Sequence, residues 1–275
     1  MAYRNPNIMR LLPGAAAPSK EELAAYWTKV HKKALPYLAR RPLTLVRQER
    51  GQIFFHKGGF ASVPNAVHQL QIEKREGGSG TRLWVDDLAG LLGLVEMGVI
   101  EVHPWQSTID NIEMADMIIF DLDPGPGVPW RKVTESALSL RRFLGKAGLK
   151  SWPKLSGGKG IHVMVPLPEP FLHDDARELS QQLAAAFAGD RKLYTLSSAP
   201  SEREGRIFID YLRNGRGTTA VGAWSPRARP GFAVATPTTW TRIEKGERAD
   251  AYPMQRFLPA QAAAGRHSRE EASRP

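Results

Sequence analysis

The chain has 275 residues, of which 42% are hydrophobic and 24% charged, which is typical of a globular protein with a substantial core. It contains no cysteine, which excludes disulfides, thiolate zinc sites and cysteine nucleophiles. It has no apolar run long enough to cross a membrane and no apolar signal-peptide core at its start, so we expect no membrane partner and a cytoplasmic location.

The net charge of +10 is unevenly distributed. Residues 1–58 hold eleven Lys and Arg residues against three acidic ones, whereas residues 85–123 hold nine Asp and Glu residues and no Lys or Arg. A basic flank beside an acidic block is expected of a protein that binds a polyanion on one surface and a cation in a pocket. A basic surface that is merely solvated is the alternative.

The N-terminal part is predicted to contain an extended arm, one helix and two hairpins. The arm covers residues 1–18, which are rich in Pro, Ala and Gly. Ser19 begins the helix, because Glu22 completes a capping box, and Pro36 is expected to end or kink it. The predicted strands of this part lie at residues 43–47, 52–57, 69–74 and 81–85.

From residue 86 onwards, helical and strand patterns alternate, which together with the hairpins predicts an α+β fold. The predicted helices lie at residues 88–97, 130–146 and 174–187. The predicted strands lie at residues 99–103, 117–123, 151–155, 161–165 and 206–211.

The stretch around which we expect the chain to be organised is an apolar strand that ends in Asp121 and Asp123, followed by Pro124 and Gly125. Residues i and i+2 of a strand face the same side, so the two carboxylates leave the strand end together and favour a cation between them. Asp210 ends another apolar strand. Three such aspartates predict two divalent cations for phosphoryl or nucleotidyl transfer. Alternatively, the first pair only forms a turn and Asp210 only begins a loop.

A glycine-rich loop at residues 156–160 and later arginines are predicted to bind phosphate groups. Glycines allow backbone amides to approach phosphate oxygens, and Lys159 and His162 add donors. The loop is not a P-loop, because no Ser or Thr follows the lysine. Arg213 and Arg227 carry guanidinium groups that suit a triphosphate or a nucleic-acid backbone. A plain glycine-rich hairpin is the alternative.

Two further features have two interpretations each. Phe54 and Phe55 point to opposite sides of one strand, so either both pack in a core or one of them, near Lys57, stacks on bases. His103, at a strand end, either joins the phosphate pocket or has a structural role.

In this order, the motifs resemble the polymerase domain of bacterial LigD-type end-joining proteins, in the archaeo-eukaryotic primase superfamily. The matching stretches are residues 54–57, 101–103, 120–125, 156–162, 210–214, 225–230 and 235–237. The resemblance implies an α+β primase-polymerase-like fold of two mixed or antiparallel sheets, flanked by helices, with the active site between them. It implies that residues 19–258 form this catalytic domain from two interleaved subdomains and that residues 259–275 are a flexible tail.

The function implied by the resemblance is template-directed, primer-extending nucleotidyl transfer with two Mn²⁺ or Mg²⁺ ions and a preference for ribonucleotides. Such domains act with nucleoside triphosphates on gapped, 5′-phosphorylated or broken DNA during non-homologous end joining. Ku and an ATP-dependent DNA ligase are the implied partners, and a nucleoid-associated position in the cytoplasm is the implied location.

The resemblance also implies roles for individual residues. The implied metal ligands and catalytic residues are Asp121, Asp123 and Asp210. The implied nucleotide-binding residues are His103, Ser156, Lys159, His162, Arg213 and Arg227. The implied DNA-binding residues are Lys20 at the 5′-phosphate, Arg10, Phe54 and Phe55 against the template, and Lys57. Arg10 meets the family pattern only approximately, and the chain has no Lys-x-Asp-Gly ligase motif.

Three alternatives to this function stay open. A primase, which starts strands without a primer, is the nearest enzymatic one. A non-catalytic nucleic-acid-binding module of the same fold is the second, although the presence of the three aspartates and His162 argues against it. A metal-dependent phosphotransferase for a small substrate is the third, although the basic N-terminal part and the paired phenylalanines argue against that.

Overall fold

A computed structural model describes residues 8–58, 60–75, 77–190 and 192–258 of the chain. The predicted tail and the first seven residues of the predicted arm lie outside the described residues. The described part is an α+β structure of two sheets with helices packed on each, as predicted. Its helices are α1 (Lys20–Leu38), α2 (Leu88–Glu96), α3 (Trp130–Lys146), α4 (His173–Phe187) and α5 (Trp240–Glu244).

The first sheet is antiparallel throughout and has the strand order β1-β3-β2-β5-β4, with β6 paired to β2. Its strands are β1 (Ile8–Leu11), β2 (Leu43–Glu49), β3 (Gln52–His56), β4 (His68–Glu73), β5 (Ser79–Trp84) and β6 (Val99–Pro104). Both predicted hairpins are present. Arg50 and Gly51 close the first one with φ angles of 49° and 77°. A type I′ turn needs a positive φ angle at both of its central residues. Part of the predicted arm forms β1 at the edge of this sheet.

Helix α1 covers the first sheet, together with α2. The predicted capping box is present, because the side chain of Ser19 accepts from the amide of Glu22 and that of Glu22 accepts from the amide of Ser19. The helix continues through Pro36 to Leu38, so Pro36 does not end it, and a kink at Pro36 stays a prediction. A proline in the last turn removes only one amide donor there, and the buried Ala34 and Leu38 keep that turn packed on the core.

The second sheet is mixed and has the order β10-β11-β7-β9-β8, in which only β10 and β11 are parallel among the described pairs. Its strands are β7 (Met114–Pro124), β8 (Trp152–Leu155), β9 (Ile161–Leu172), β10 (Tyr194–Thr195) and β11 (Ile207–Asp210). Helices α3, α4 and α5 contribute to the core on one face of this sheet. The short strand β10 and helix α5 were not predicted.

The central strand β7 divides its side chains between the two faces of this sheet. Ile118, Phe120 and Leu122 are fully buried in the core that contains α3 and α4. Ile119 belongs to a separate small cluster and therefore points to the opposite face, which is also the face of Asp121. In the described ranges, no helix is long and apolar enough to cross a bilayer.

Candidate active site

Three aspartates lie side by side where β7 and β11 end. In the antiparallel pairing of these strands, Asp210 is opposite Asp121 and Phe208 is opposite Asp123. Directly opposed residues share a face of the sheet, as do residues i and i+2 of one strand. The register therefore brings all three aspartates, which the sequence placed at separate strand ends, to one face of the second sheet.

Two of these carboxylates are already paired with cationic side chains. Asp123 accepts a hydrogen bond from the guanidinium of Arg203, and Lys159 Nζ lies 3.8 Å from its other oxygen. Asp210 forms an ion pair with Arg213 at 2.8 Å. These arginines and the lysine neutralise charge that would otherwise accumulate at the strand ends.

Asp121 is the least compensated of the three. Its carboxylate lies 3.6 Å from His162 Nε2. Burial, and then the neighbouring charges of Asp123 and Asp210, raise the pKa of Asp121 to about 7, although Arg213 opposes this. A carboxyl group with such a pKa gains stability in its charged form when a cation comes close.

The aspartates fit divalent cations in chemistry and position, although two of them are engaged by arginines. Among the residues described, no three His, Asp or Glu side chains are grouped as metal ligands, and Asp123 and Asp210 are engaged by Arg203 and Arg213. Carboxylate oxygens are the ligands that Mg²⁺ and Mn²⁺ prefer, and the raised pKa of Asp121 marks a place short of positive charge. Cations at this edge would compete with the two arginines.

The row of polar residues continues across the sheet from Asp121, on the same face. His162 on β9 is opposite Asp121, and Lys154 on β8 is opposite His162. Lys154 is only 1% exposed and donates a hydrogen bond to the carbonyl of Val221. Burial lowers the pKa of Lys154 to about 7, and burial followed by the charge of Lys154 lowers the pKa of His162 well below its usual value. His162 is therefore a neutral, buried neighbour of Asp121.

The glycine-rich loop between β8 and β9 is held by its own serine. The hydroxyl of Ser156 accepts hydrogen bonds from the amides of Gly158 and Gly160, at 3.2 and 3.1 Å. Gly160 passes so close to β7 that a Cβ there would lie 2.7 Å from the carbonyl oxygen of Leu122. Lys159 is 62% exposed and extends from the loop beside the aspartates. Ser156 thus shapes the loop, and the side chain of Lys159 is exposed beside Asp123.

A buried carboxylate on the first sheet joins the two predicted nucleotide-binding residues His103 and Arg227. Glu101 accepts from His103 Nε2 at 2.8 Å and from Arg227 Nε at 3.1 Å, and its second oxygen accepts from the amide of Ala228 at 2.7 Å. Arg227 also donates to the carbonyl oxygen of Ser156 at 2.6 Å. This chain of contacts links strand β6 to the glycine-rich loop of the second sheet, so the site lies between the sheets.

The electrostatics of this network favour an ionised Glu101 and a neutral His103. Burial alone would raise the pKa of Glu101, but the charge of Arg227 and the hydrogen bonds from His103 and the Ala228 amide lower it to about 2. Burial lowers the pKa of His103, although the bond to Glu101 opposes this.

The predicted template-stacking residues differ in their exposure. Phe54 is 2% exposed and packs near the guanidinium of Arg47. Phe55, on the other side of β3, is half-buried, and its ring centroid lies 5.4 Å from that of His103. Arg10 is exposed on β1, opposite Phe55. Phe55 is therefore the phenylalanine that borders the cluster of Glu101, His103 and Arg227.

The other predicted DNA-binding residues, Lys20 and Lys57, differ in their exposure. Lys20 is exposed at the start of α1 and donates to the carbonyl oxygen of Glu96, at the end of α2, at 2.9 Å. Lys57 is half-buried, and burial followed by the charge of Arg82 lowers its pKa.

Sequence reasoning missed three residues that organise the site. Glu101 could have been found, because an acidic residue two positions before His103 in an apolar strand faces the same side. Asn214 is fully buried, and its amide bonds the N–H and C=O of Ile119 at 2.7 and 2.9 Å, so it prolongs the strand pairing of β7 beyond β11. Arg203 lies in a polar loop, with no sequence pattern that singles it out.

Comparison with known proteins identifies the family. The family model described as LigD, primase-polymerase domain, matches residues 19–267. The chain belongs to this family. The match confirms the resemblance drawn from the motifs and applies to nearly the whole chain.

Known relatives of this LigD primase-polymerase domain are longer proteins. It is 33% identical over 254 residues to the multifunctional non-homologous end joining protein LigD of Pseudomonas aeruginosa, which covers 91% of this chain and 30% of that protein. It is 30% identical over 234 residues to the bifunctional non-homologous end joining protein LigD of Bacillus subtilis, which covers 82% of this chain and 37% of that protein. The chain thus spans about a third of the length of these relatives.

A solved structure confirms the predicted fold. The polymerase domain from Mycobacterium tuberculosis ligase D, in complex with DNA, superposes with a TM-score of 0.79 at 28% sequence identity. The match covers 93% of both chains.

Proposed function

We propose that this domain is a template-directed, primer-extending nucleotidyltransferase that adds nucleotides, preferentially ribonucleotides, at gaps and broken DNA ends in non-homologous end joining. The observation that carries the proposal is the meeting of two groups at one place between the sheets. The aspartates Asp121, Asp123 and Asp210 supply oxygen ligands, and Arg227 with the glycine-rich loop supplies donors for a triphosphate.

The proposed role of each residue follows from its charge and its exposure. Lys159 and Arg213 are exposed cations next to the carboxylates and are suited to bind triphosphate oxygens of the incoming nucleotide. Arg227, which is bonded to the start of the glycine-rich loop, holds the same group from the side of β6. Phe55 offers a ring face for a template base, and His103 lies beside it in the nucleotide site.

The residues also set the ionisation of the reacting centre. When bound by Asp121, Asp123 and Asp210, two Mn²⁺ or Mg²⁺ ions supply activation of the attacking 3′-hydroxyl and charge neutralisation for the leaving pyrophosphate. His162 stays neutral beneath Asp121, so it adds no positive charge that would repel a cation.

The proposal extends to partners and location. We propose that three basic residues outside the site contact DNA, namely Arg10, Lys57 and, at the 5′-phosphate of a gap, Lys20. The names of the relatives concern end joining, and on that ground we propose Ku and an ATP-dependent ligase as partners and a nucleoid-associated position in the cytoplasm. The assignment of residues 19–258 to one catalytic domain belongs to the same proposal.

The experiment is extension of a gapped DNA with a 5′-phosphate, in the presence of Mn²⁺ and each ribo- and deoxynucleotide. Templated addition that favours ribonucleotides is expected of the unaltered chain. Asp121→Ala and Asp123→Ala should abolish addition and leave DNA binding intact, whereas the control Asp110→Ala, in an exposed ion pair with Arg40, should leave both unchanged.

Each contrary result has a distinct meaning. Near-normal extension by the double Asp121→Ala, Asp123→Ala variant would refute the site. Tight, salt-dependent DNA binding without any addition by the unaltered chain would make the domain a binding module. Synthesis on a template without a primer would make it a primase.

A further inference from the structure

The three groups that contact the carboxylate of Glu101 are all hydrogen-bond donors. Its carboxylate is 3% exposed, and three groups bond to it: a ring nitrogen of His103, the guanidinium of Arg227 and the amide of Ala228. The guanidinium and the amide are obligate donors. His103 Nε2 must also donate, because an ionised carboxylate offers only acceptors. Only a group with acceptors on both sides satisfies all three neighbours.

We propose that Glu101 is a positioning residue of the nucleotide site, which holds the ring of His103 and the guanidinium of Arg227 in fixed relation to each other. It acts through these two side chains and does not touch the substrate itself. The inference rests on the proposed function, which places His103 and Arg227 at the incoming nucleotide.

The contacts of Glu101 connect residues beyond its own strand. Glu101 and His103 belong to β6 of the first sheet. Arg227, by contrast, also donates a hydrogen bond to the carbonyl oxygen of Ser156, at the start of the glycine-rich loop. A single carboxylate therefore sets the distance between the histidine on one side of the site and the phosphate-binding loop on the other. Since Nε2 of the neutral His103 carries the proton, its Nδ1 is an acceptor.

A glutamine at this position cannot replace the carboxylate. Whichever way its amide is turned, the NH₂ group faces at least one donor among His103, Arg227 and the Ala228 amide. Turned towards His103, it would move the ring proton to Nδ1 and place the NH₂ group against Arg227 as well. Glu101→Gln therefore opposes donor to donor in either orientation, and in one orientation it also moves the ring proton of His103, with almost no change in volume.

The test measures nucleotide kinetics on gapped DNA with the full chain. Loss of one charge-assisted hydrogen-bonding partner corresponds to about a 10- to 100-fold rise in KM for the nucleotide, and kcat and the affinity for DNA should change less than about threefold. Glu113→Gln is the matched control, because it breaks a bidentate pair with Arg216, at 2.6 Å for both bonds, outside the site. It should leave KM unchanged.

The second readout is the tautomer of His103 from ¹⁵N NMR, which needs no turnover. The unaltered chain should show the proton on Nε2, and Glu101→Gln should shift it towards Nδ1. A proton on Nδ1 in the unaltered chain, or an unchanged KM in a folded Glu101→Gln variant, would overturn the proposal. A variant in which kcat, DNA affinity and thermal stability all fall together with the nucleotide affinity would also overturn the proposal, because it would indicate a general structural role.

A third variant covers the case in which Glu101→Gln does not fold. Glu101→Asp keeps the charge and acceptors but shortens the side chain, so KM should lie between the other two, with the Nε2 proton retained. A KM equal to that of the unaltered chain would overturn the proposal. If the unaltered chain neither binds nor incorporates nucleotides, the proposed function fails, and the tautomer still tests the network by itself.

Discussion

Asn214 offers a quantitative test of how the site is held together. Its side chain bonds both backbone groups of Ile119 and the carbonyl oxygen of Tyr211, at distances between 2.7 and 2.9 Å. Asn214→Leu keeps the approximate shape and leaves the N–H and C=O of the buried Ile119 without partners. Each such group costs about 1–3 kcal/mol, so we expect the free energy of unfolding to fall by about 3–4 kcal/mol.

The assay is urea denaturation followed by circular dichroism, with thermal melting as a check. For a domain of this size the expected loss corresponds to a fall in Tm of about 10 °C. The control is Asn111→Ala, because Asn111 is exposed and its replacement should change the free energy of unfolding by less than about 0.5 kcal/mol. A loss below about 1 kcal/mol for Asn214→Leu would refute the reasoning, since it would mean that Ile119 finds other partners.

Three further predictions concern the ions, the glycine-rich loop and the DNA. Because the pKa of Asp121 is raised to about 7, Mn²⁺ must displace a proton below that pH, so its affinity should fall about tenfold per pH unit there and level off above. Titration of Mn²⁺ by electron paramagnetic resonance measures this, and a flat profile would contradict it. Gly160→Ala would place a Cβ 3.0 Å from Asp121 Oδ1, so primer extension should fall at least about tenfold, whereas Gly145→Ala, which meets open space, should extend normally. Wild-type extension by Gly160→Ala would show that the strand can shift. Lys20→Ala should weaken binding to 5′-phosphorylated gaps more than to unphosphorylated ones, with the exposed Lys29→Ala as control, and equal losses on both DNAs would rule out the phosphate contact.

The parts of the fold that depend on local patterns could be predicted from the sequence. The capping box at Ser19 and Glu22 fixed the start of α1, and the apolar run before Asp121 predicted the central strand. The alternation of side chains along a strand also predicted that Asp121 and Asp123 share a face. These features depend on neighbours a few residues apart.

The parts that depend on packing could not be predicted in the same way. Arg203 reaches Asp123 from a loop 80 positions further along the chain, and such a meeting has no local signature. Lys154 looks like a surface residue in the sequence, yet the sheet pairing puts it under the site. Likewise, the paired phenylalanines could be placed on opposite faces, but only the packing around β3 shows that Phe54 is the buried one.

The pairing of Asp123 with Arg203 and of Asp210 with Arg213 has a consequence for the stability of the protein without metal ions. Many small metal-binding domains are unfolded without their metal, and chelators denature them. Here arginines of the same chain serve as resident counter-ions. The folded domain therefore does not depend on the proposed divalent ions to balance these two carboxylates.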